Sequence, residues 1–373
     1  MGGPVMREAE LLIVGAGPAG LSAACEAAKA GLKVLVIDEN LKPGGQLFKQ
    51  IHKFFGSRVH NAGTRGFKIG EKLLKETQEL GVEVQLGYPV YGIFKGNQVI
   101  YGTPEGAKQF HAKKIILATG ANENNLCFEG SVLPGVMTAG AAQTMINLHH
   151  VLPGKRVVMV GSGNVGLIVS YQLLQAGAQV EAVVEAAPSI GGYMVHANKL
   201  KRVGVPFYLS HTIQKVKGTG GVEEVEIIRV DEKFKPIPGT EKRLEADTVC
   251  MAVGLTPMIE LARLGGCNMT ISPALGGVVP MHNASMQTTN PDIFVAGDIA
   301  GVEEASTAME EGRLAGIAVA ESLGYLTKEN AEEKKKEIRQ RLKLLRSGQF
   351  GAKRAVAKEQ IENSYENWKQ EGK

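Results

Sequence analysis

Gly15, Gly17 and Gly20, with Pro18 and Ala19 between the last two, share one spacing with Gly161, Gly163 and Gly166, where Asn164 and Val165 fill the same gap. An apolar run precedes each set, Leu11-Leu12-Ile13-Val14 and Arg156-Val157-Val158-Met159-Val160. A second apolar run follows each and ends in an acid, Asp38 or Glu185, 18 or 19 positions after the third glycine. This is the pattern of a βαβ unit that binds a dinucleotide. The first glycine turns the chain out of the strand, the second lets a pyrophosphate approach the backbone, and the third lets the helix pack on the sheet. The phosphates then face the positive end of the helix, and the acid accepts hydrogen bonds from ribose hydroxyls. One such glycine set is a weak signal. Two, each with strand, helix and acid, imply two dinucleotides and a hydride passed between them.

Other residues fall where a flavin would need them. Pro43-Gly44-Gly45-Gln46 reads as a turn or as a loop passing the pyrophosphate and ribityl chain, with Gly45 and Gln46 in contact with them. Ala118-Thr119-Gly120 ends a strand at the same sheet edge. Gly297-Asp298 ends another, and the Asp298 carboxylate would accept a ribityl hydroxyl while the helix after it stabilises charge on the reduced ring. Glu303 and Glu304, in that entry region, are expected to cap amides or face solvent. Glu39 beside Asp38, Val90 and Gly254 complete the expected cofactor-binding set. Glu185 favours NAD over NADP: a 2′-phosphate would meet a negative charge, and Ala186-Ala187-Pro188 offers no arginine. Hydride transfer needs orientation more than an acid or base, so no catalytic residue is assigned. His149-His150 reads as a helix end, and Cys127 as a passive loop cysteine. His52 and Lys53 either stand over the flavin or lie on a surface helix.

The elements that must position these residues follow from the patterning. Strands and helices alternate, which predicts an α/β protein with parallel sheets. The two fingerprints begin 146 positions apart, so they belong to two Rossmann-like domains. A helix is expected over 69–80, with strands at 82–86, 114–118, 223–230, 247–253 and 293–296. After Gly254-Leu255-Thr256-Pro257 the pattern returns to that of the first domain, so the expected bounds are 1–121 and 253–326 for the first domain, 122–252 for the second between them, and 327–373 for a basic helical tail.

Among 373 residues, 44% are hydrophobic and 21% charged, as in globular proteins with several cores. No apolar run approaches the roughly 18 residues of a membrane helix. The first ten residues carry no secretory pattern, and Met6 breaks the myristoylation pattern. Cys25, Cys127, Cys250 and Cys267 are scattered without a CxxC, which excludes a dithiol motif or a cysteine-bound cluster in this chain. A reduced, cytoplasmic setting is expected. The net charge of +4 is concentrated at the end: residues 326–373 hold 13 basic and 8 acidic side chains. A nucleic-acid partner is not expected from that distribution. Ile338, Leu342 and Leu345 form a narrow stripe in the tail, and Trp368 lies near its end. The tail is either a helix on its own domain or a docking element for a partner polypeptide. The second use would leave it dispensable for flavin binding.

The whole set of glycines, acids, Gly44-Gly45-Gln46, Ala118-Thr119-Gly120 and Gly297-Asp298 resembles the two-dinucleotide-binding-domain flavoproteins of the thioredoxin-reductase-like group over residues 8–325. The resemblance implies FAD and NAD, with the NAD domain inserted into a split FAD domain. The family's redox CxxC is absent, so disulfide reduction is not expected. Leu133-Pro134-Gly135-Val136-Met137-Thr138-Ala139-Gly140-Ala141-Ala142-Gln143, followed by Leu152-Pro153-Gly154-Lys155, is similar to the FAD/NAD subunits of heteromeric dye-linked dehydrogenases: sarcosine oxidase, L-proline dehydrogenase, opine oxidase and hydrogen cyanide synthase. That resemblance implies a second flavoprotein subunit that oxidises an amine or amino acid. Any iron–sulfur cluster would belong to a partner, because the cysteines end at Cys267. The alternatives are a self-sufficient NADH:acceptor reductase and a non-catalytic assembly subunit.

Overall fold

The computed structural model describes residues 7–54 and 57–372, so the reading at Met1–Met6 lies outside it. In chain order, β1 (Arg7–Val14), α1 (Pro18–Lys29) and β2 (Val34–Asp38) form the first βαβ unit. Leu11, Leu12, Ile13 and every residue of β2 are buried, as strands covered on both faces require. Helix α2 (Gly66–Glu79) and strand β3 (Glu83–Leu86) follow, then the antiparallel strands β4 (Val90–Phe94), β5 (Gln98–Thr103) and the long β6 (Gly106–Leu117). Strand β7 (Ala121–Glu123) leads away from this unit.

The second unit spans residues 123–255. It contains β8 (Val136–Thr138), α3 (Ala139–Leu148), β9 (Arg156–Val160), α4 (Asn164–Gln175), β10 (Gln179–Glu185), α5 (Met194–Arg202) and β11 (Phe207–Leu209). The hairpin strands β12 (His211–Lys217), β13 (Glu224–Arg229) and β14 (Lys242–Glu245) precede β15 (Thr248–Met251). Its main sheet is parallel, in the order β11-β10-β9-β15-β8, and β12-β13-β14 form a separate antiparallel sheet. One apolar cluster packs α3, α4 and α5 against the main sheet, and another packs its opposite face against β12, β13 and β14.

The chain then returns through β16 (Leu255–Pro257), α6 (Glu260–Leu264), β17 (Met269–Ser272), β18 (Gly277–Pro280) and β19 (Ile293–Val295). Strand β19 joins the first sheet beside the C-terminal half of β6, so the parallel order there is β3-β2-β1-β6-β19. The first unit is therefore built from residues 1–122 and 256–373. Three helices close it: α7 (Ala305–Ser322), α8 (Lys328–Leu345) and α9 (Gly348–Glu371). A Cβ at Gly312 or Gly316 would lie 2.1 or 2.4 Å from the carbonyl oxygen of Ala19 or Ala23, so these glycines let α7 lie directly on α1.

Candidate dinucleotide-binding sites

In the first unit, Gly15 has φ +106° and its Cβ position lies 2.3 Å from Ala118 O, while a Cβ at Gly20 would be 1.9 Å from Gly15 O. Backbone packing alone forces glycine at both. Gly17 has an ordinary φ of −79° and nothing within 4 Å of its Cβ position. It is the N-cap of α1, with no side-chain cap and no acid in the first turn, and Pro18 opens the helix. An uncapped helix N-terminus facing open space fits a pyrophosphate. Asp38, 8% exposed, accepts the Ala16 N–H (2.6 Å) on one oxygen and the Asn40 N–H and amide (2.7 and 2.8 Å) on the other. Glu39 is exposed. The loop after it folds over the fingerprint: Gly44 N–H meets Ala16 O at 2.6 Å, and a Cβ at Gly45 would sit 2.9 Å from Gly17 Cα. Gln46 is exposed, and Val90 is half-buried at the start of β4.

Ala118 continues β6 by bonding Val14 O through its N–H, Thr119 Oγ1 donates to Met258 O, and Gly120 at φ +79° faces open space. Gly297, at φ +76°, approaches Ala19, with 2.9 Å between its Cβ position and the Ala19 methyl. A single 3₁₀ turn, Gly297–Ala300, carries Asp298 before α7 begins at Ala305. Glu303 N–H donates to Asp298 Oδ1 at 3.3 Å. Burial pushes the Asp298 carboxyl up to about 6.

The second unit repeats the geometry. Gly161 has φ +102° with its Cβ position 2.3 Å from Ala252 O, a Cβ at Gly166 would lie 2.2 Å from Gly161 O, and Gly163 again has nothing within 4 Å. Gly163 caps α4 without a side-chain bond or a first-turn acid. Glu185 accepts Ser162 N–H and hydroxyl (2.8 and 2.6 Å) on Oε2 and Ala187 N–H (2.9 Å) on Oε1. Asn164 commits its amide oxygen to Tyr193 N–H at 2.8 Å, and Val165 is exposed. Gly254, φ +106°, accepts Asn124 N–H on its carbonyl.

Sequence reasoning missed Gly191 and Gly192, which donate to Ser162 Oγ (3.0 Å) and Ser162 O (2.8 Å) as Gly44 does to Ala16 O. A signal was present: a Gly-Gly pair begins six positions after Asp38 and again six after Glu185. Three expectations change. Glu303 neither caps an amide nor faces solvent: its side chain is 4% exposed and bound by Arg346 Nε and Nη2 at 3.1 and 2.6 Å. Glu304, by contrast, is partly exposed, 3.9 Å from Arg354. Residues 51–54 form no helix, and His52 stacks on Phe54 with centroids 5.8 Å apart. The tail stripe is not free for docking, because Ile338 and Leu342 are buried in the core of the first unit. Farther along the tail, Lys358 donates to Ala300 O of the Asp298 turn, and Arg346 pairs with Glu303 and Glu311 beside it. His149 does end a helix, α3, and no metal-holding cluster of His, Cys, Asp and Glu occurs among the described residues. No helix among them is long and apolar enough to cross a membrane.

Residues 9–312 match the family model described as pyridine nucleotide-disulphide oxidoreductase. The chain is 30% identical over 326 residues to an opine oxidase subunit of Agrobacterium tumefaciens, covering 83% of this chain and 65% of that one. It is 26% identical over 367 residues to the HcnB subunit of hydrogen cyanide synthase from Pseudomonas aeruginosa, covering 92% and 77%. The thioredoxin reductase of T. acidophilum superposes with a TM-score of 0.70 at 22% identity, covering 85% of this chain and all of that one, and so shares the two-domain fold.

Proposed function

This chain belongs to the pyridine nucleotide-disulphide oxidoreductase family, and from that premise we propose that its first unit holds FAD, its second holds NAD, and the pair passes reducing equivalents as one subunit of a heteromeric amine or amino-acid dehydrogenase. The observation that carries this reading is the free space at Gly17 and Gly163. Packing explains the first and third glycines of both fingerprints but not the second, and a bound pyrophosphate does.

In this reading Gly15, Gly17, Pro18, Ala19 and Gly20 seat the flavin's pyrophosphate at the N-terminus of α1. Asp38 holds the adenosine ribose, and Gly45, Gln46, Ala118–Gly120 and Asp298 line the path of the ribityl chain and ring. Gly161, Gly163 and Gly166 do the same for the nicotinamide nucleotide, with Glu185 on its ribose. When bound, the two cofactors supply the hydride exchange between nicotinamide C4 and flavin N5. The chain contributes orientation, fixed dipoles and exclusion of water. Two of the relatives are named as subunits, which supports a flavoprotein partner bearing the amine-oxidising site. The scattered cysteines leave any iron–sulfur group to a partner. A reducing, cytoplasmic setting suits the four free thiols, of which Cys25 and Cys250 are pushed up to about 12 by burial.

The test is direct. Purified chain should release FAD at about one per polypeptide, and anaerobic NADH should bleach the bound flavin within the mixing experiment. FMN or no flavin in a fully loaded preparation overturns the first assignment, and an unreduced flavin overturns the second. If NADH reduces the flavin and a small acceptor then turns over with no partner polypeptide co-purifying, the self-sufficient reductase replaces the heteromeric reading.

A further inference from the structure

Helix α7 carries two adjacent carboxylates that are almost free of solvent, Glu310 at 0% and Glu311 at 1% exposure. A buried carboxylate without partners costs several kcal/mol, so the groups around them matter. Glu310 meets His60 Nε2 at 3.1 Å, Arg313, and Arg341 Nε at 3.0 Å. Glu311 accepts the Gly297 N–H at 3.0 Å on one oxygen and pairs on the other with Arg346 (2.5 Å) and Lys358 (2.7 Å). Burial alone would raise its carboxyl, but Lys358 and Arg346 hold it below the ordinary range. Lys358, 3% exposed, also donates to Ala300 O at 2.8 Å.

The turn that carries Asp298 is thus gripped at both ends. Its first N–H, at Gly297, is held through Glu311, and its last carbonyl, at Ala300, is held by Lys358 directly. Arg346 binds Glu303, whose N–H in turn meets Asp298. Two more groups complete the cluster: His282, pushed down to about 4 by burial and therefore neutral, and Glu362, whose carboxyl burial pushes up. Arg346 and Lys358 belong to the C-terminal segment, beyond residue 312 where the family match ends. Plain adhesion of those helices does not require this arrangement. Another buried tail cation, Lys335, pairs with Glu321 at the far end of α7, about 15 Å along the helix from Glu311.

We propose that Lys358 and Arg346 are positioning residues for the flavin: through them the C-terminal helices clamp the Gly297–Ala300 turn and fix the Asp298 carboxylate for the ribityl chain. The proposal rests on the reading that the first unit holds FAD.

Lys358→Met, Lys358→Arg and Lys335→Met are compared with the parent for FAD dissociation constant, flavin reduction potential and thermal unfolding. A parent chain that binds no FAD removes the reading of the site itself, whatever the variants do. With FAD bound, Lys358→Met should weaken its affinity roughly tenfold to hundredfold, as expected for a lost hydrogen bond to a charged group. It should also move the potential to more negative values, because the buried Glu311 charge beside the Asp298 turn loses one of its balancing cations. Lys358→Arg should recover most of both. Lys335→Met should lower the melting temperature and leave affinity and potential alone. Unchanged affinity and potential in Lys358→Met overturn the clamp, and so does an equal loss of affinity in Lys335→Met. If Lys358→Met does not fold, Glu311→Gln with Lys358→Met removes the opposite charges together. Wild-type FAD affinity in that pair also overturns the clamp.

Discussion

The acid after the first fingerprint, Asp38, accepts the N–H of Ala16, and the acid after the second, Glu185, accepts the N–H of Ser162. In both units a Gly-Gly loop then returns to the same fingerprint residue. The difference lies in what surrounds this shared device. In the second unit one hydroxyl, Ser162 Oγ, links Glu185 to Gly191 and closes the site locally. In the first unit residue 16 is alanine, and further support comes from distant chain: the Gly297–Ala300 turn, Glu311, Arg346 and Lys358. A cofactor that stays bound through many turnovers needs more groups fixed in advance than a nucleotide that must leave, because preorganisation lowers the cost of binding. That contrast matches the proposed assignment of FAD and NAD.

The largest effect should come from separating the roles of the glycines. Gly17→Trp should abolish flavin retention and leave the second unit competent for nucleotide, and Gly163→Trp should do the reverse. Both side chains enter open space, so the protein should still fold. Gly20→Ala and Gly166→Ala place a methyl against a backbone carbonyl and should cost about 1–3 kcal/mol or more in stability, as overpacked cores do. Melting curves with cofactor content check all four. Flavin retained by Gly17→Trp would sink the assignment of the first unit.

The same contrast explains what the sequence made legible. Strands such as Leu11–Val14 and Arg156–Val160 are buried on both faces, so their composition alone marks them. Strands β4 and β5 escaped notice because exposed Tyr91 and Phe94 and half-buried Gln98 are interleaved with buried Ile93 and Val99, and their hairpin turns at Gly96 and Asn97, both with positive φ. Strand β6 begins at Gly106 rather than near residue 114 because its first residues, 106–109, pair with β5 alone and carry no apolar run to mark them. At the sites, the fingerprints and acids were readable because backbone geometry dictates residue type. The clamp was not. Arg346 and Lys358 sit in a run of solvated charges, and a buried lysine has the same letter as an exposed one. The available hint was local: Ala357 and Ile361 share a buried helix face with Lys358.

A smaller effect tests the support peculiar to the first unit. The Asp298 carboxyl is raised to about 6, so its contribution to stability is complete below its ordinary unfolded value and is lost as pH rises through 6. In flavin-free protein, Asp298→Asn should therefore gain on the parent by ~2–3 kcal/mol between about pH 4 and pH 7. Denaturant midpoints at the two pH values measure it. A difference independent of pH would mean that the turn leaves Asp298 solvated, and the contrast between the units would shrink to their loops.

The smallest expected effect concerns the second unit, where Glu185 should make NADH the better reductant by about 1–3 kcal/mol, a tenfold to hundredfold preference. Glu185 is bound on both oxygens by Ser162 and Ala187, so a 2′-phosphate cannot easily displace it. No cation follows in Ala186-Ala187-Pro188. The next basic residues, on α5, are placed elsewhere: Lys199 lies 5.1 Å from the Tyr171 ring and Lys201 5.8 Å from the Phe207 ring. Rates of flavin reduction by NADH and NADPH test the preference, and Glu185→Ser should narrow it toward parity. Equal rates in the parent would show that Glu185 serves the loop alone. Its counterpart Asp38 would then need the same scrutiny, because the two acids are held by the same backbone device and can be told apart only by what they do to a ligand.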